Sequence, residues 1–378
     1  MELPYTIKRL FPGEEQGLVL RFNLFSIFAI LFTGCAAIDD TALSTGNRPN
    51  EWGNWLTVGT TATDINTLQL KLCVYQDKPV LVYKNSTSIE SKIYQNNAWA
   101  SLPTITPSSS YTRFLCSGTT SQLIIAVELA STSGVTVYRY SGSSWSEDSP
   151  QPVSSATVND LALSSDGTLL AYTDASASPQ VSKVLQYSGS SWQSLGSVSS
   201  SIVCYDNAIA NLGSKPYHSC RNESSSGTLK VANYGSSWTE SAGLTTARAS
   251  THSIQSNNSK AYLSYILAVG SSSNRLVSAE INTDNSITDL SMPSITDVSA
   301  YASSLDAAGS LWVAFPAAGD AEKLTVSVYQ AGQWIYKGIS LSAAAVSVLD
   351  MAHTSDYTYL AYSDSLNGGK VLVKRYTE

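Results

Sequence analysis

The chain has 378 residues, of which 43% are hydrophobic and only 13% charged, and its net charge is −7. This length can hold two ordinary domains or one large all-β domain. The sequence has no basic patch and no Lys/Arg-rich amphipathic stretch, which argues against nucleic acid and against an anionic lipid surface as partners.

The N-terminal segment has the pattern of an export signal. An apolar run, Leu24–Phe32, is too short to span a bilayer but suits the core of a signal peptide. The following Thr33-Gly34-Cys35 resembles the lipobox of bacterial lipoproteins, although Phe32 stands where that family usually has Leu. The resemblance implies a signal peptide over residues 1–34 and a lipidated Cys35 that carries palmitate-type acyl chains. The alternative is an ordinary secretory signal with a structural Cys nearby.

The residues after Cys35 bear on the location of the protein. Ala36 and Ala37 follow the Cys, and no Asp stands directly after it. By the same resemblance this implies a lipid anchor in the bacterial cell envelope, at the outer membrane or cell surface. Residues 35–51 lack periodicity, so we expect the lipidated Cys and a flexible tether there, followed by one domain over 52–378.

A short aromatic pattern recurs along that domain. It reads Tyr-Ser-Gly-Ser-Ser-Trp at Tyr140–Trp145 and again at Tyr187–Trp192. An aromatic residue, a small polar turn and a Trp predict a hairpin whose turn reaches positive φ and whose strands pack large rings. Looser copies occur at Tyr94–Trp99, Tyr234–Trp238 and Tyr329–Trp334.

The spacing of the copies predicts the fold. The Trp residues of this pattern, at 55, 99, 145, 192, 238 and 334, are 44, 46, 47, 46 and 96 residues apart, and Ile287 fills the double step. Strand-like repeats of about 40–50 residues are typical of a β-propeller. We therefore predict an all-β, seven-bladed β-propeller with four-stranded antiparallel blades. In architecture and turn chemistry the chain resembles WD-repeat, kelch and NHL-type propellers.

The two ends of the domain predict how the ring closes. The last repeat reaches Tyr376 without the hairpin turn and outer strand that should follow. Residues Gly53–Gly59 match that missing piece, as judged from Ser190–Gly196 of the third repeat. We therefore expect the N-terminal segment to supply the outer strand of the last blade, which removes exposed sheet edges.

Four cysteines remain after Cys35, and in an exported chain they can form two disulfides. Alignment of the repeats places Cys204 and Cys220 on two strands around one turn of the fourth blade. It places Cys73 and Cys116 at matching points on the innermost strands of the first two blades. We expect these two pairs to be disulfides, with buried free thiols as the alternative.

Sequence motifs for catalysis or metal binding are lacking. The three histidines, His218, His252 and His353, fall on predicted strands without HxH or HExxH spacing, so we expect polar residues facing the channel rather than a zinc site. No phosphate-binding loop or Rossmann glycine pattern occurs, and we expect no cofactor.

One set of polar residues suggests a site. Near the predicted start of five innermost strands stand Arg113, Asp160, Asp206, His252 and Asp350. In a closed ring they could encircle one mouth of the channel as a polar, mainly acidic binding site, or they could simply be a solvated channel mouth. No residue can be assigned a catalytic role, but Asp160 and Asp206 are the pair to examine for carboxylate chemistry.

Three functions remain open from the sequence. The first is an envelope-anchored, non-catalytic binding module that recognises a protein or glycan partner with its loop face. The second is a glycoside hydrolase or lyase that uses acidic residues at the channel mouth. The third is a structural part of an envelope assembly.

Overall fold

A computed structural model describes residues 53–378 of the protein, apart from 60–61, 64–65, 131–133, 149–152, 155, 200–202, 241–243, 246, 258, 270–272, 285, 291 and 293–296. The predictions for residues 1–52, which include the signal peptide, Cys35 and the tether, lie outside the described residues. In the part of the chain that is described, no helix is long and apolar enough to cross a bilayer.

The described residues form seven four-stranded antiparallel sheets arranged as the blades of a β-propeller. The first three blades, from the innermost strand outward, are β2 (Leu70–Tyr75), β3 (Lys78–Asn85), β4 (Ser88–Gln95) and β5 (Ala98–Ser101); β6 (Tyr111–Gly118), β7 (Leu123–Leu129), β8 (Val135–Tyr140) and β9 (Trp145–Glu147); and β10 (Val158–Leu163), β11 (Leu169–Asp174), β12 (Val181–Tyr187) and β13 (Trp192–Ser197).

The remaining blades follow the same order. They are β14 (Cys204–Leu212), β15 (Lys215–Asn222), β16 (Thr228–Tyr234) and β17 (Trp238–Glu240); β18 (Ala249–Ser256), β19 (Ala261–Val269), β20 (Ser273–Ile281) and β21 (Ile287–Asp289); β22 (Ala302–Leu305), β23 (Leu311–Ala317), β24 (Lys323–Gln330) and β25 (Gln333–Gly338); and β26 (Val346–His353), β27 (Thr358–Asp364), β28 (Val371–Thr377) and β1 (Asn54–Thr57). Short 3₁₀ helices follow the second strand of three blades, at Glu223–Ser225, Ala318–Asp320 and Ser365–Asn367.

The seventh blade closes the ring as predicted. Its outer strand is β1, which pairs antiparallel with β28 so that Asn54 lies opposite Thr377 and Thr57 opposite Lys374. The two ends of the domain therefore share one sheet, and neither the first nor the last blade is left with an open edge.

The recurring aromatic pattern holds each blade together at its outer hairpin. In six blades a Tyr on the third strand lies opposite a Trp on the outer strand, with ring centroids 5.2–5.4 Å apart. Gly142 and Gly189 in the two full copies of the turn have φ of 94° and 97°, which other residues rarely adopt. In the fifth blade Ile287 takes the Trp position, opposite Ile281, as the spacing predicted.

Apolar residues of neighbouring blades form the core. Each of seven buried clusters spans two adjacent blades. An aromatic residue on the second strand is buried in five blades, with at most 7% of its surface exposed: Tyr83, Tyr172, Tyr265, Phe315 and Tyr362.

Both predicted disulfides are present. Cys204 and Cys220 join the first two strands of the fourth blade, and Cys73 and Cys116 join the innermost strands of the first two blades. The first bond lies within one sheet. The second links two sheets across a blade boundary.

The topology gives the ring two different faces. The innermost strands start at the face that carries the connections between blades and the connections from second to third strands, which we call the loop face. The opposite face carries the Tyr–Trp hairpin turns, and we call it the hairpin face. The connections from second to third strands differ in length: in the first blade only Ser86 and Thr87 separate β3 from β4.

Candidate functional site

The five residues predicted to encircle the channel mouth all lie on innermost strands, but they do not form one ring. Four of these strands carry an irregularity of pairing next to the predicted residue: β6 before Arg113, β10 around Asp160, β14 around Asp206 and β18 before His252. A bulge of this kind adds a residue and redirects the side chains beside it. Asp206 itself has a φ of 50°.

Asp160 is part of a buried link between three blades. Its carboxylate pairs with Arg113 of the second blade and accepts hydrogen bonds from the backbone N–H and the side-chain amide of Asn207 in the fourth. Arg113 also lies 3.1 Å from Glu128. Burial raises the pKa of Asp160, while the Arg113 charge and the Asn207 hydrogen bonds lower it. With 3% of its surface exposed, Asp160 connects blades and offers no open face to a ligand.

Asp206 belongs to a group of charges on the loop face that adjoins the Asp160–Arg113 pair, since the Asp206 charge raises the pKa of Asp160 and the Arg113 charge lowers the pKa of Asp206. Asp206 lies 2.5 Å from Arg221, which also contacts Glu223 at 2.6 Å. Glu223 in turn contacts Arg248 of the fifth blade at 3.0 Å. Burial raises the pKa of Asp206, and the nearest arginine lowers it. Two acidic and two basic side chains thus alternate between the fourth and fifth blades, and their charges cancel.

Two histidines lie between blades, and here the predicted channel-facing position is wrong. His218 is 1% exposed, and its Nε2 lies 2.8 Å from the Asn207 side-chain oxygen. His218 lies on β15, the second strand of its blade, and the innermost strand β14 lies between it and the channel. His252 is 8% exposed. Burial lowers the pKa of His218 to about 3 and that of His252 to about 4, so both rings are neutral at pH 7.

The third histidine and Asp350 do reach the channel. Both line a cavity of about 370 Å³ at the hairpin-face end of the channel, among the last residues of the innermost strands. Asp350 accepts a hydrogen bond from the backbone N–H of Leu72 at 2.8 Å and lies 3.9 Å from Lys71. Asp350 therefore joins the seventh blade to the first at some depth in the channel, and it does not stand beside Asp160 or Asp206.

The loop face carries two clefts that share lining residues. One, of about 360 Å³, lies at the channel mouth and is lined by residues that include Leu68, Arg113 and Ser347. The other, of about 620 Å³, lies over the sixth, seventh and first blades and is also lined by Leu68 and Ser347. We call the two clefts together the loop-face groove.

Exposed apolar side chains concentrate on this face. Of the four large apolar residues that are most exposed in the described part of the chain, three lie there: Leu68 at 75%, Leu366 at 72% and Val269 at 48%. Leu68 lines both clefts, and Leu366 follows Ser365, which lines the second. The fourth, Leu56, is on the outer strand β1. A soluble surface tolerates single exposed leucines, but their grouping beside a groove is typical of a binding surface.

Sequence reasoning missed Leu68 and Leu366. Leu366 lies within a connection otherwise composed of Ser, Asp, Asn and Gly, and Leu68 lies within a stretch of Thr, Asn and Gln. A lone Leu in a polar connection was the available signal.

Aromatic rings at the groove are not open to a ligand. Phe114 is 3% exposed. The Tyr301 hydroxyl donates to the backbone oxygen of Ser264 at 2.5 Å and lies 3.0 Å from the Ser253 hydroxyl. Sugar rings commonly stack on exposed aromatic faces, and the buried Phe114 does not provide one. Within the described residues, no group of three or more His, Cys, Asp or Glu side chains is placed to hold a metal ion.

Comparison with known proteins found similarity among solved structures. No family model matches the chain, and no curated protein matches it. Among solved structures, a mutant form of the Aleuria aurantia lectin in complex with Fucα1-6GlcNAc is similar, with a TM-score of 0.45 and 12% sequence identity over 74% of this chain and 96% of that one.

Proposed function

We propose that the protein is a non-catalytic binding module whose loop-face groove binds a protein partner. The observation that carries the proposal is the exposure of Leu68 and Leu366 beside a groove on one face of a rigid ring. Apolar side chains of a partner that enter the groove would remove both leucines from water. Full burial of one such side chain contributes about 1.5–3 kcal/mol.

The choice of a protein rather than a glycan rests on the lining of the groove. Its exposed apolar groups are aliphatic, and the two aromatic rings at its base are covered or hydrogen-bonded. Aliphatic anchors surrounded by polar residues match the apolar centre and polar rim of a protein interface. Lys71 and Glu322, which line the two clefts, supply charges of both signs for that rim.

The geometry disfavours the hydrolase alternative. A glycosidase needs two available carboxyl groups about 5–9.5 Å apart on either side of the scissile bond. Asp160 is 3% exposed and is held by Arg113 and Asn207, while Asp206 is held by Arg221. Asp160, enclosed by its own blades, cannot serve as one of the two carboxyl groups, although Asp206 keeps 36% of its side chain exposed.

Exposed leucines at different places in the ring provide a matched test. Leu68→Ser/Leu366→Ser removes the two apolar side chains beside the groove. Leu56→Ser is the control, because Leu56 is also an exposed leucine but lies on an outer strand. Labelled protein would be tested against solubilised envelope proteins and against a glycan array. We expect saturable binding to a protein, weakened at least tenfold by the double substitution and unchanged by Leu56→Ser. Binding to glycans alone, or equal binding by all three forms, would contradict the proposal.

We also propose that Cys35 anchors the module to the bacterial cell envelope. Support comes from the resemblance of Thr33-Gly34-Cys35 to a lipobox and from the apolar run before it. In a bacterial host, labelled palmitate should be incorporated into the wild-type protein and not into Cys35→Ser. Equal labelling of both forms, or none of either, would refute the anchor.

A further inference from the structure

The two disulfides of the ring lie in different surroundings. Cys204 and Cys220 are each 1% exposed, and their bond lies within one sheet. Cys73 and Cys116 join the innermost strands β2 and β6 of two blades, and Cys116 is partly exposed. Because a thiol must reach a sulfur atom to attack it, exposed disulfides are the labile ones and enclosed disulfides are inert. The Cys73–Cys116 bond is therefore the one that can react in the folded protein.

The channel provides a route to this bond. Cys73 and Cys116 both line the cavity of about 370 Å³ at the hairpin-face end of the channel, and six of the seven blades contribute to its lining. Its volume lies within the range of small-molecule sites. Cys204 and Cys220 line neither this cavity nor the loop-face groove. A small molecule in the channel thus meets one disulfide and not the other.

The two cysteines of this bond differ in burial. Cys73 is 6% exposed and belongs to the buried apolar cluster between the first two blades, whereas Cys116 is only partly buried and packs against that cluster. Attack from the channel is therefore directed at the Sγ atom of Cys116, with Cys73 as the leaving group.

The boundary between the first two blades does not depend on the disulfide alone. Directly after β2 and β6, the backbone N–H of Gln76 donates to the backbone oxygen of Thr119 at 3.2 Å. A Cβ atom at Gly118 would lie 2.0 Å from the carbonyl oxygen of Val74, so only glycine permits this close approach of the two strands. Apolar residues of both blades also share one buried cluster. Cleavage of the bond therefore leaves the strands packed together, and exchange does not require the ring to unfold.

We infer that the Cys73–Cys116 disulfide is a thiol-exchange site, at which a low-molecular-weight thiol enters the channel and forms a mixed disulfide with Cys116. The Cys204–Cys220 disulfide does not exchange in the folded ring and is a structural bond. This inference goes beyond the proposed binding function, because the reaction does not use the exposed leucines of the loop face.

The reaction needs only the thiol as co-reactant. The thiolate forms a bond with Sγ of Cys116 while the bond between Cys116 and Cys73 breaks, and Cys73 leaves as a thiolate that takes up a proton from water. A second thiolate of the same kind attacks the mixed disulfide, and the two small thiols depart as their own disulfide. The two cysteines gain two electrons, and the two small thiols lose them. The reverse exchange with that small disulfide restores the original bond.

Exchange in the folded full-length protein tests the inference. The protein is treated with β-mercaptoethanol at neutral pH without denaturant, free thiols are blocked with N-ethylmaleimide, and the modified peptides are identified by mass spectrometry. We expect a mercaptoethanol adduct on Cys116 and alkylated Cys73 to appear at least about tenfold faster than any product at Cys204 or Cys220. Tryptophan fluorescence recorded in parallel should keep its native value.

A matched pair of variants measures the access to each sulfur without the exchange step. Cys73→Ser leaves a free thiol at Cys116, and Cys220→Ser leaves one at Cys204. N-ethylmaleimide should label Cys116 in the folded first variant, and it should label Cys204 of the second only after unfolding in urea.

Four outcomes would overturn the inference. The two disulfides could react at equal rates, the mercaptoethanol adduct could form on Cys73 in place of Cys116, or native fluorescence could be lost before the bond opens. The fourth is an absence of reaction at either disulfide in the folded protein, which would make both bonds purely structural. If either variant does not fold, the comparison of the two disulfides in wild type decides alone.

Discussion

Six tryptophan side chains each connect a blade to the one before it. Besides packing on its Tyr, the outer-strand Trp donates its Nε1–H across the blade boundary. The acceptors are Lys337 O for Trp55, Val58 O for Trp99, Pro103 O for Trp145, Asp148 Oδ2 for Trp192, Leu195 O for Trp238 and Leu290 O for Trp334, at 2.8–3.1 Å. The Tyr–Trp pattern therefore forms a contact between neighbouring blades as well as a hairpin within one blade.

Trp238→Phe tests this hydrogen bond. The substitution keeps an aromatic ring against Tyr234 but removes the donor to Leu195 and part of the indole, so we expect a loss of at least about 1 kcal/mol in the free energy of unfolding. Urea denaturation measures it. Tyr234→Phe is the matched control and should cost less than about 0.5 kcal/mol, because the Tyr234 hydroxyl makes no hydrogen bond within the described structure. Equal losses in both variants would disprove the role of the donor.

His252 makes stability depend on pH. Burial, and to a smaller extent the Arg221 charge, lower its pKa in the folded state to about 4, while the Ser219 backbone acts in the opposite direction. The unfolded chain, with a His pKa of about 6.5, therefore takes up a proton that the folded protein does not. The free energy of unfolding therefore decreases by about 3 kcal/mol as the pH falls from about 6.5 to 4.

The variant His252→Phe cannot take up this proton. Between neutral pH and about pH 4, its free energy of unfolding should fall by about 3 kcal/mol less than that of wild type. Chemical denaturation at a series of pH values measures the difference. Parallel pH curves would contradict the argument.

At the scale of strands and blades, β1 is the element that closes the ring. Trp55 on this strand packs at 5.4 Å from Tyr376 and donates to Lys337 of the neighbouring blade. A single short strand thus contacts both the last blade and the one before it. Its removal also exposes the edge of β28.

Two truncated chains measure the contribution of β1. One begins at Gly53 and keeps the strand, and the other begins at Thr60 and lacks it. We expect the shorter chain to lose at least about 3 kcal/mol, the usual cost of removing one large buried aromatic residue, in a single cooperative transition. Identical melting temperatures for the two chains would exclude the closure.

The sequence was sufficient for the architecture because the architecture repeats. Three inferences depend on a pattern that repeats from blade to blade. They are the Tyr–Trp spacing, the place of Ile287 and the match of Gly53–Gly59 to an outer strand. The pairing of Cys73 with Cys116 followed from the same alignment.

The candidate site could not be predicted in the same way. Side chains alternate between the two faces of a strand, and one additional residue reverses which of them face the channel. The irregular pairing near Arg113, Asp160, Asp206 and His252 has no clear signature in the sequence, so the contacts that these residues make between blades could not be foreseen. Exposure of Leu68 and Leu366 depends on connections that do not repeat from blade to blade.

At the scale of the whole molecule, the chain enters the ring at the hairpin face. β1 begins at Asn54, opposite Thr377 at the end of β28, and this is the hairpin face. With an anchor at Cys35, the tether would join the ring at that face. The loop face, with Leu68 and Leu366, lies at the opposite end of the strands from this entry point.

A photo-crosslinking comparison in living cells tests the central claim most directly. A photoreactive amino acid is placed at Leu68 or Leu366 on the loop face, and at Ser143 or Ser190 in the hairpin turns as controls. The account predicts a discrete protein adduct from the loop-face positions and none from the hairpin positions. Adducts from the hairpin turns alone, or no protein adduct from either leucine position, would contradict it.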